Sequence, residues 1–304
     1  MTGGHRPTPG QRGRLRLAAA AVAGLLAAAC GPAPASQPVT GAAAAPGPAA
    51  GAPPRPAAAI PARPRPPVPP DPSGSPSRAG AAGRGARPLA GTTVGIDPGH
   101  NGDNGANQSF IGHLVWNGAE MESCDTTGTQ TESGYTEARF NFNVAGYLRA
   151  YLRRDGARVV MTRDGNRGAG PCVNRRAQII NQAHAQVAID IHADGGPSWG
   201  RGFTVLEPVA DGPNDKVTGA SARLAREVRS ALLARTPMPA SDYYGQAGLI
   251  SRDDLAGLNL TRVPKILIEC GNMRNAADAR LLTSPGFQRR IARALLAAVV
   301  AFVR

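Results

Sequence analysis

Aromatic residues are absent from the first 90 residues of this 304-residue chain: all 13 of them, two Trp, five Tyr and six Phe, lie beyond residue 90. Residues 31–90 instead hold 17 of the 28 prolines, mixed with Ala, Gly and Ser. A segment without bulky apolar side chains cannot bury enough surface to offset the entropy lost on ordering. We therefore predict a disordered, extended tether over residues 31–90 and one globular domain over residues 91–304. A coiled coil, a repeat array and a polytopic membrane protein are excluded.

Acidic residues are also scarce in the first 90 residues. Residues 1–90 carry ten arginines and one aspartate, so most of the net charge of +13 lies outside the predicted domain. The arginines are dispersed among prolines without aromatic residues between them, so we expect no nucleic-acid partner. Anionic phospholipid and cell-wall polymer fit this basic segment equally well.

An export signal is predicted over residues 1–30. Four arginines precede an apolar run from Leu17 to Ala29, which is shorter than the ~20 residues that a membrane span needs. The run ends at Cys30 and resembles a bacterial lipobox, with Ala27 where Leu is usual. We expect Cys30 to be lipidated, which would anchor the protein at the outer face of the plasma membrane. Ordinary cleavage after Ala29 is the alternative, and it also exports the chain.

Cysteine is rare, with four residues in all. Cys124 and Cys172 lie in polar, loop-like stretches, where an exported chain gains from a cross-link. We predict a Cys124–Cys172 disulfide, with two free thiols as the alternative. Cys270 ends an apolar run and is expected to be a buried thiol rather than a metal ligand.

Short apolar runs alternate with helical periodicity over the predicted domain. Strands are predicted over residues 92–97, 158–162, 187–191, 202–206 and 265–269. Helices are predicted over residues 137–154, 173–184 and 220–233, and over a terminal segment with Phe287, Ile291, Leu295, Val299 and Phe302 on one stripe. This alternation predicts an α/β fold with a single, mainly parallel, twisted sheet and helices on both faces. Segment 101–135 is polar and Gly-rich and is predicted to be the only long loop.

Three chemically capable side chains stand at predicted strand ends. His100 follows the first strand, His192 follows the strand at 187–191, and Glu269 closes the last strand. The carboxyl edge of such a sheet is where ligands bind. Two imidazoles need one more hard donor to hold zinc with a position left open, and Glu137 at a helix start can supply it. The sequence thus indicates a His2Glu catalytic metal site.

Four sequence blocks resemble the signature blocks of the zinc-dependent N-acetylmuramoyl-L-alanine amidases of the type 3 superfamily, in the same order: residues 96–102 (IDPGHNG), 137–142 (EARFNF), 188–194 (AIDIHAD) and 266–273 (ILIECGNM). The similarity covers roughly residues 91–303 and is closest to the compact actinobacterial form. Asp190, Asp194 and Cys270 depart from the residues that are usual in these blocks.

The resemblance implies a catalytic reaction. His100, Glu137 and His192 would bind one zinc ion, and Glu269 would be the catalytic carboxylate. The substrate would be peptidoglycan, cut at the amide between the lactyl group of N-acetylmuramic acid and L-alanine. We expect a monomer, since nothing in the sequence indicates a higher assembly.

Several alternatives stay open at this point. A zinc peptidase that acts on the stem peptide would use the same residues, and a non-catalytic peptidoglycan-binding module would keep the fold. Glu122 and Glu132, in the polar segment before the helix, are alternatives to Glu137 as the third ligand. For the other polar residues we expect ordinary roles. His113 would lie in a loop and His184 at a helix end, and Asp97 would orient the turn or His100. Arg175 and Arg176 would be solvated, although one of them could bind a carboxylate of an acidic peptide.

Overall fold

The computed structural model describes residues 87–210 and 212–304. The predicted export signal, the lipidation site Cys30 and nearly all of the predicted tether lie outside the described residues. Within the described residues, no helix is both long and apolar enough to cross a membrane.

Strands and helices alternate through most of the described chain. In order they are β1 (Thr93–Pro98), a 3-10 turn (Asn104–Ala106), α1 (Gln108–Ile111), β2 (Leu114–Trp116), β3 (Met121–Ser123), α2 (Glu137–Arg154), β4 (Arg158–Met161), α3 (Val173–Gln182), β5 (Val187–Asp194), β6 (Thr204–Pro208), α4 (Thr218–Arg235), β7 (Leu249–Arg252), α5 (Ala256–Asn259), β8 (Lys265–Asn272), α6 (Ala276–Leu282) and α7 (Pro285–Val303).

The main sheet has six strands in the order β4-β1-β5-β8-β6-β7. β4, β1, β5 and β8 run parallel, while β6 is antiparallel to β8 and carries β7 parallel to itself. Helices α2, α4 and α7 pack on one face, and α3 and α5 cover the other. The predicted fold class, a mainly parallel α/β sheet with helices on both faces, is confirmed.

Side-chain alternation along the central strands separates the apolar core from the polar face. On β5, Ile189 and Ile191 point into the large core beneath α2, α4 and α7. Because successive strand residues point to opposite faces, Asp190 and His192 lie on the α3 and α5 side. On β8 the same rule sets Glu269 on that side. Asp190, His192 and Glu269 therefore share one face of the sheet.

Helix α2 begins where its sequence predicts. The side chain of Thr136 accepts a hydrogen bond from the Arg139 amide and caps the helix, with Glu137 in the first turn. Arg153 and Arg154 stand in the last turn, where positive charge complements the helix dipole. Capping thus fixes the backbone position of Glu137.

Two local predictions were wrong. Segment 101–135 is not a bare loop: it contains the 3-10 turn, α1 and the two-stranded β2–β3 hairpin. These elements are three or four residues long, too short to show periodicity, and Asn117 Oδ1 stabilises the hairpin turn by accepting from the Ala119 and Glu120 amides. The edge strand β7 was also not predicted, because its four residues show no clear alternation.

Candidate metal centre

The turn after β1 presents His100 in an unusual backbone conformation. His100 has φ 55°, in the left-handed region, which costs a residue with a Cβ about 1–2 kcal/mol. Two buried arginines hold the turn: Arg163 Nε donates to Pro98 O at 2.8 Å, and Arg176 donates from Nη1 to the same carbonyl at 2.8 Å. Strain retained at one residue by such support is characteristic of functional sites.

Three candidate donors converge beside this turn. Nε2 of His100 lies 3.3 Å from Oε1 of Glu137, and Nδ1 of His192 lies 2.9 Å from the same oxygen. One ligand atom from each of the three residues lies within 4.8 Å of the other two. The structure therefore brings together His100, Glu137 and His192, which come from three separate elements.

The Glu137 carboxylate is positioned by backbone amides. Its Oε2 accepts from Thr129 N at 2.9 Å, and its Oε1 accepts from Ala193 N at 3.3 Å. The carboxylate is buried, whereas 12% and 15% of the side chains of His100 and His192 are exposed. The cluster thus has a fixed inner carboxylate and two imidazoles at the edge of solvent.

Two glycines allow the imidazoles to come this close. A Cβ on Gly99 would lie 2.0 Å from Cε1 of His192. A Cβ on Gly128 would lie 2.8 Å from Oε2 of Glu137 and from Cδ2 of His100, and Gly128 has φ 69°. Both positions therefore require glycine.

The remaining ring nitrogen of each histidine faces a buried aspartate. Nδ1 of His100 is 2.8 Å from Oδ1 of Asp125, and Nε2 of His192 is 3.3 Å from Oδ1 of Asp190. Carboxylates in this position orient histidine ligands and select the tautomer whose free lone pair faces a metal. The two rings consequently turn opposite nitrogens, Nε2 and Nδ1, toward Glu137.

The electrostatics of the cluster favour positive charge. Burial alone would lower the pKa of His100, but the charge of Glu137 and hydrogen bonds to Asp125 and Glu137 raise this pKa to about 9. Burial also opposes protonation of His192, yet its contacts with Asp190 and Glu137 raise its pKa well above the usual range. For Glu137, burial acts to raise the pKa, and the two histidines outweigh it and hold the pKa well below normal. The site is thus adapted to hold a cation.

Glu269 stands next to His192 on the adjacent strand. The two residues are paired in the β5–β8 register, and both line the same cavity. Oε2 of Glu269 is buried and has no hydrogen-bond partner among the described residues. Burial, partly offset by the charge of His192, raises the pKa of Glu269 to about 8. A carboxyl group in this state can hold a proton near neutral pH and release it.

The cavity has a volume of about 270 Å³ and lies on the α3 and α5 side of the sheet. His100, His192 and Glu269 form its polar end, and Leu206, Leu258 and Leu267 contribute an apolar wall. Such a mixture of apolar walls and a few convergent polar groups is typical of a binding site for an organic ligand.

The two alternative donors lie outside the three-residue cluster, although Glu122 lines the same cavity. Among the described residues, Glu122 and Glu132 do not join the three-residue cluster. Glu122 lies on β3, where its Oε1 accepts from Ala256 N at 3.2 Å, and Glu132 is exposed. The structure joins Cys124 and Cys172 in a disulfide and leaves Cys270 as a buried thiol.

The prediction that Arg176 is solvated was wrong. Its side chain is 3% exposed, and Nη1 donates to Oδ1 of Asp97 at 3.0 Å. Its other donors bind Pro171 O, His100 O and Asp125, so the guanidinium is held by partners within the protein. Asp97 acts through this arginine and does not contact His100 directly. Arg175 is exposed, as predicted.

Sequence reasoning missed two residues of the site. Asp125 has only one local signal, its position directly after the disulfide cysteine Cys124. Lys265 opens an apolar strand and is one of only two lysines in the chain, with Lys216. A lone lysine in an apolar run signals a buried charge, and this charge needs acidic partners.

A mainly parallel α/β sheet that places two imidazoles and a carboxyl group around one cavity, with a second, buried carboxylate in contact with both imidazoles, is an arrangement that metal-dependent hydrolases use. The family model for N-acetylmuramoyl-L-alanine amidase matches residues 94–301. The chain is 42% identical over 216 residues to N-acetylmuramoyl-L-alanine amidase Rv3717 of Mycobacterium tuberculosis, covering 71% of this chain and 88% of that protein.

Solved structures agree with this match. The crystal structure of the N-acetylmuramyl-L-alanine amidase Ami1 from Mycobacterium smegmatis superimposes with a TM-score of 0.67 at 39% identity, covering 71% of this chain and 98% of that one. The apo form of Ami1 from Mycobacterium abscessus gives a TM-score of 0.67 at 40% identity, covering 71% and 100%. This chain therefore belongs to the type 3 N-acetylmuramoyl-L-alanine amidase family and is an amidase, a hydrolytic enzyme.

Proposed function

We propose that this enzyme hydrolyses the amide between the lactyl group of N-acetylmuramic acid and L-alanine in peptidoglycan, with one zinc ion held by His100, Glu137 and His192. The observation that carries the proposal is the convergence of these three donors within 4.8 Å of one another in an amidase-family chain.

The donor set fits zinc. Two imidazole nitrogens and one carboxylate, with one position left for water or substrate, form a recurrent catalytic zinc site. The buried carboxylate of Glu137 places negative charge at the position of the ion. Asp125 behind His100 and Asp190 behind His192 add further negative charge around it. When bound, zinc supplies Lewis acidity, which makes water a better nucleophile near neutral pH and polarises a carbonyl.

Glu269 moves the protons in this proposal. In its ionised form, Glu269 accepts through the unpartnered Oε2 a proton from the attacking water as the water oxygen bonds to the lactyl carbonyl carbon. The same carboxyl group then donates this proton to the alanine nitrogen as the C–N bond breaks. The products are a lactyl carboxylate on the sugar and a stem peptide with a free amino terminus.

The test is product analysis of digested peptidoglycan by mass spectrometry, with zinc content measured on the same protein. We expect about one zinc per chain, free lactyl-muramyl sugar and intact stem peptides. A Glu269→Gln variant should retain zinc and lose turnover, whereas Glu132→Gln, a change at an exposed carboxylate, should behave as wild type. Cleavage within the stem peptide would identify a peptidase instead, and retention of peptidoglycan without products would identify a binding module.

We also propose that the enzyme is exported and held at the membrane through lipid on Cys30, with residues 31–90 as the spacer. The apolar run before Cys30 and the proline-rich segment after it support this. Mass spectrometry of the mature N-terminus tests it. We expect a diacylated Cys30, and an unmodified terminus produced by cleavage after Ala29 would contradict the anchor but not the export.

A further inference from the structure

A series of buried side chains with alternating charge begins at Nδ1 of His100, the ring nitrogen that does not face Glu137. Nδ1 of His100 is 2.8 Å from Oδ1 of Asp125, and Oδ2 of Asp125 is 3.4 Å from Nη2 of Arg176. Nη1 of Arg176 is in turn 3.0 Å from Oδ1 of Asp97. This first half of the series ends at Asp97, near the carboxyl end of β1.

The other half continues from Asp97 to His192. Nζ of Lys265 lies 3.0 Å from Oδ2 of Asp97 and 3.0 Å from Oδ2 of Asp190. Oδ1 of Asp190 is 3.3 Å from Nε2 of His192, an ion-pair distance at which no hydrogen bond forms in this structure. The two candidate ligand histidines are therefore connected through five charged side chains, and Lys265 is the residue that joins the halves.

The linking side chains are all buried: Lys265 and Asp97 are 1% exposed, Arg176 is 3% exposed, and Asp125 and Asp190 are 5% exposed. Gly257 of α5 covers the ion pair with backbone, since a Cβ there would come within 3.1 Å of both Lys265 Nζ and Asp190 Oδ2. Burial of charged pairs contributes little net stability compared with apolar packing. Stability alone therefore does not account for a lysine at this position.

We propose that Lys265 is a positioning residue for the metal centre: it holds Asp190 so that the carboxylate orients His192 with Nδ1 toward Glu137. This inference rests on the proposed zinc site. One oxygen of Asp190 binds the ammonium, which leaves the other fixed toward the imidazole.

The sign of the expected effect separates positioning from simple electrostatics. Removing a positive charge next to a cation site would by itself tighten zinc binding. If Lys265 positions His192, its loss should weaken binding, because Asp190 loses the partner that fixes its orientation. Outer carboxylates of this kind affect metal affinity by about 10–100-fold.

The experiment measures zinc dissociation constants by chelator competition on the full chain. Lys265→Met, which keeps an unbranched side chain but removes the ammonium group, should bind zinc about 10–100-fold more weakly than wild type. Lys216→Met, a change at the other lysine, which is exposed, should leave the constant unchanged. In the zinc-loaded wild-type protein, the ¹⁵N chemical shifts of the His192 ring should show the proton on Nε2. In Lys265→Met these chemical shifts should differ from those of wild type.

A double-mutant cycle identifies the route of the effect. Asp190→Ser alone should weaken zinc binding, and adding Lys265→Met to it should cause no further loss, because both act through one contact with His192. Equal or tighter binding by Lys265→Met, or full additivity in the double variant, would overturn the inference. If Lys265→Met does not fold, wild-type affinity in Asp190→Ser would overturn it as well. A wild-type protein that holds no zinc overturns both this inference and the proposed function, whereas zinc-loaded, active wild type with an unaffected Lys265→Met overturns the inference alone.

Discussion

The backbone of Gly99 packs directly against the ring of His192: a Cβ at Gly99 would sit 2.0 Å from Cε1 and 2.1 Å from Nε2 of the imidazole. The turn after β1 and the end of β5 are adjacent, as the hydrogen bond from Gly99 N to Ile191 O at 3.0 Å shows. The position of one candidate ligand therefore depends on the absence of a side chain beside it.

Replacing Gly99 with alanine should displace His192 from Glu137. We expect the zinc dissociation constant of Gly99→Ala to rise at least about tenfold, a typical effect of disturbing the surroundings of a ligand. Gly105→Ala is the matched control, because a Cβ at Gly105 meets nothing within 4 Å. Chelator competition measures both, and wild-type affinity in Gly99→Ala would show that the ring can move without cost.

Zinc removal should lower thermal stability. A ligand that binds only the folded state at a free concentration 100-fold above its dissociation constant stabilises by about 2.7 kcal/mol, which corresponds to a Tm shift of roughly 5–10 °C for a domain of this size. Calorimetry with and without a chelator should show this shift in wild type. Glu137→Gln should not show it, since the variant lacks the buried carboxylate. A chelator effect of equal size in both proteins would place the metal elsewhere.

The buried charge of Asp97 should make stability depend on pH. Burial acts to raise the pKa of Asp97, but Lys265, Arg176 and the Thr162 hydroxyl outweigh it and hold the pKa below its usual range. A carboxyl group with a depressed folded-state pKa contributes stability above its unfolded pKa of about 3.9, and this contribution is lost as pH falls.

Asp97→Asn should therefore be destabilised by about 3–5 kcal/mol at pH 7, because two buried cations lose their carboxylate. The difference from wild type should narrow progressively as pH falls below about 4, because the unfolded wild-type chain then binds a proton at Asp97 that the folded protein does not. Urea unfolding at pH 7 and at about pH 2.5 measures it. A difference that stays constant over this range would mean that the charge of Asp97 is not what stabilises the fold.

The disulfide should stabilise the segment that carries Asp125. Cys124 and Cys172 are 48 residues apart in sequence, and closing a loop of that length is worth about 4 kcal/mol in the chain-entropy model. A Cys124→Ser/Cys172→Ser double variant should lose about 2–4 kcal/mol in urea unfolding and bind zinc more weakly, since Asp125 supports His100. A reducing agent should change wild type in the same direction and leave the double variant unaffected.

Local patterns predicted the elements whose spacing repeats along the chain. The β-branched run of β1, the capped periodic helix α2 and the apolar strand β8 were all predicted close to their observed bounds, because alternation and capping are properties of neighbouring residues. The β2–β3 hairpin and β7 were missed, because these short segments show neither a clear alternation nor the β-branched apolar run that made the equally short β4 predictable.

The residues of the site likewise fall into those that local sequence patterns predicted and those that they did not. His100, His192 and Glu269 were recognisable because each follows or ends a strand that the sequence itself shows. The partners behind them were not: Asp97 binds Arg176 across 79 positions and Lys265 across 168 positions. Such contacts depend on strand order and register, which no local pattern contains, so Arg176 was predicted as solvated and Lys265 was not singled out.

Crystals of the zinc-loaded enzyme measured with X-rays above and below the zinc absorption edge test the central claim most directly. We predict one anomalous peak within about 2.0–2.2 Å of Nε2 of His100, Nδ1 of His192 and a carboxylate oxygen of Glu137. A zinc peak bound by other residues, or a fully active enzyme without any peak at these three atoms, would contradict it.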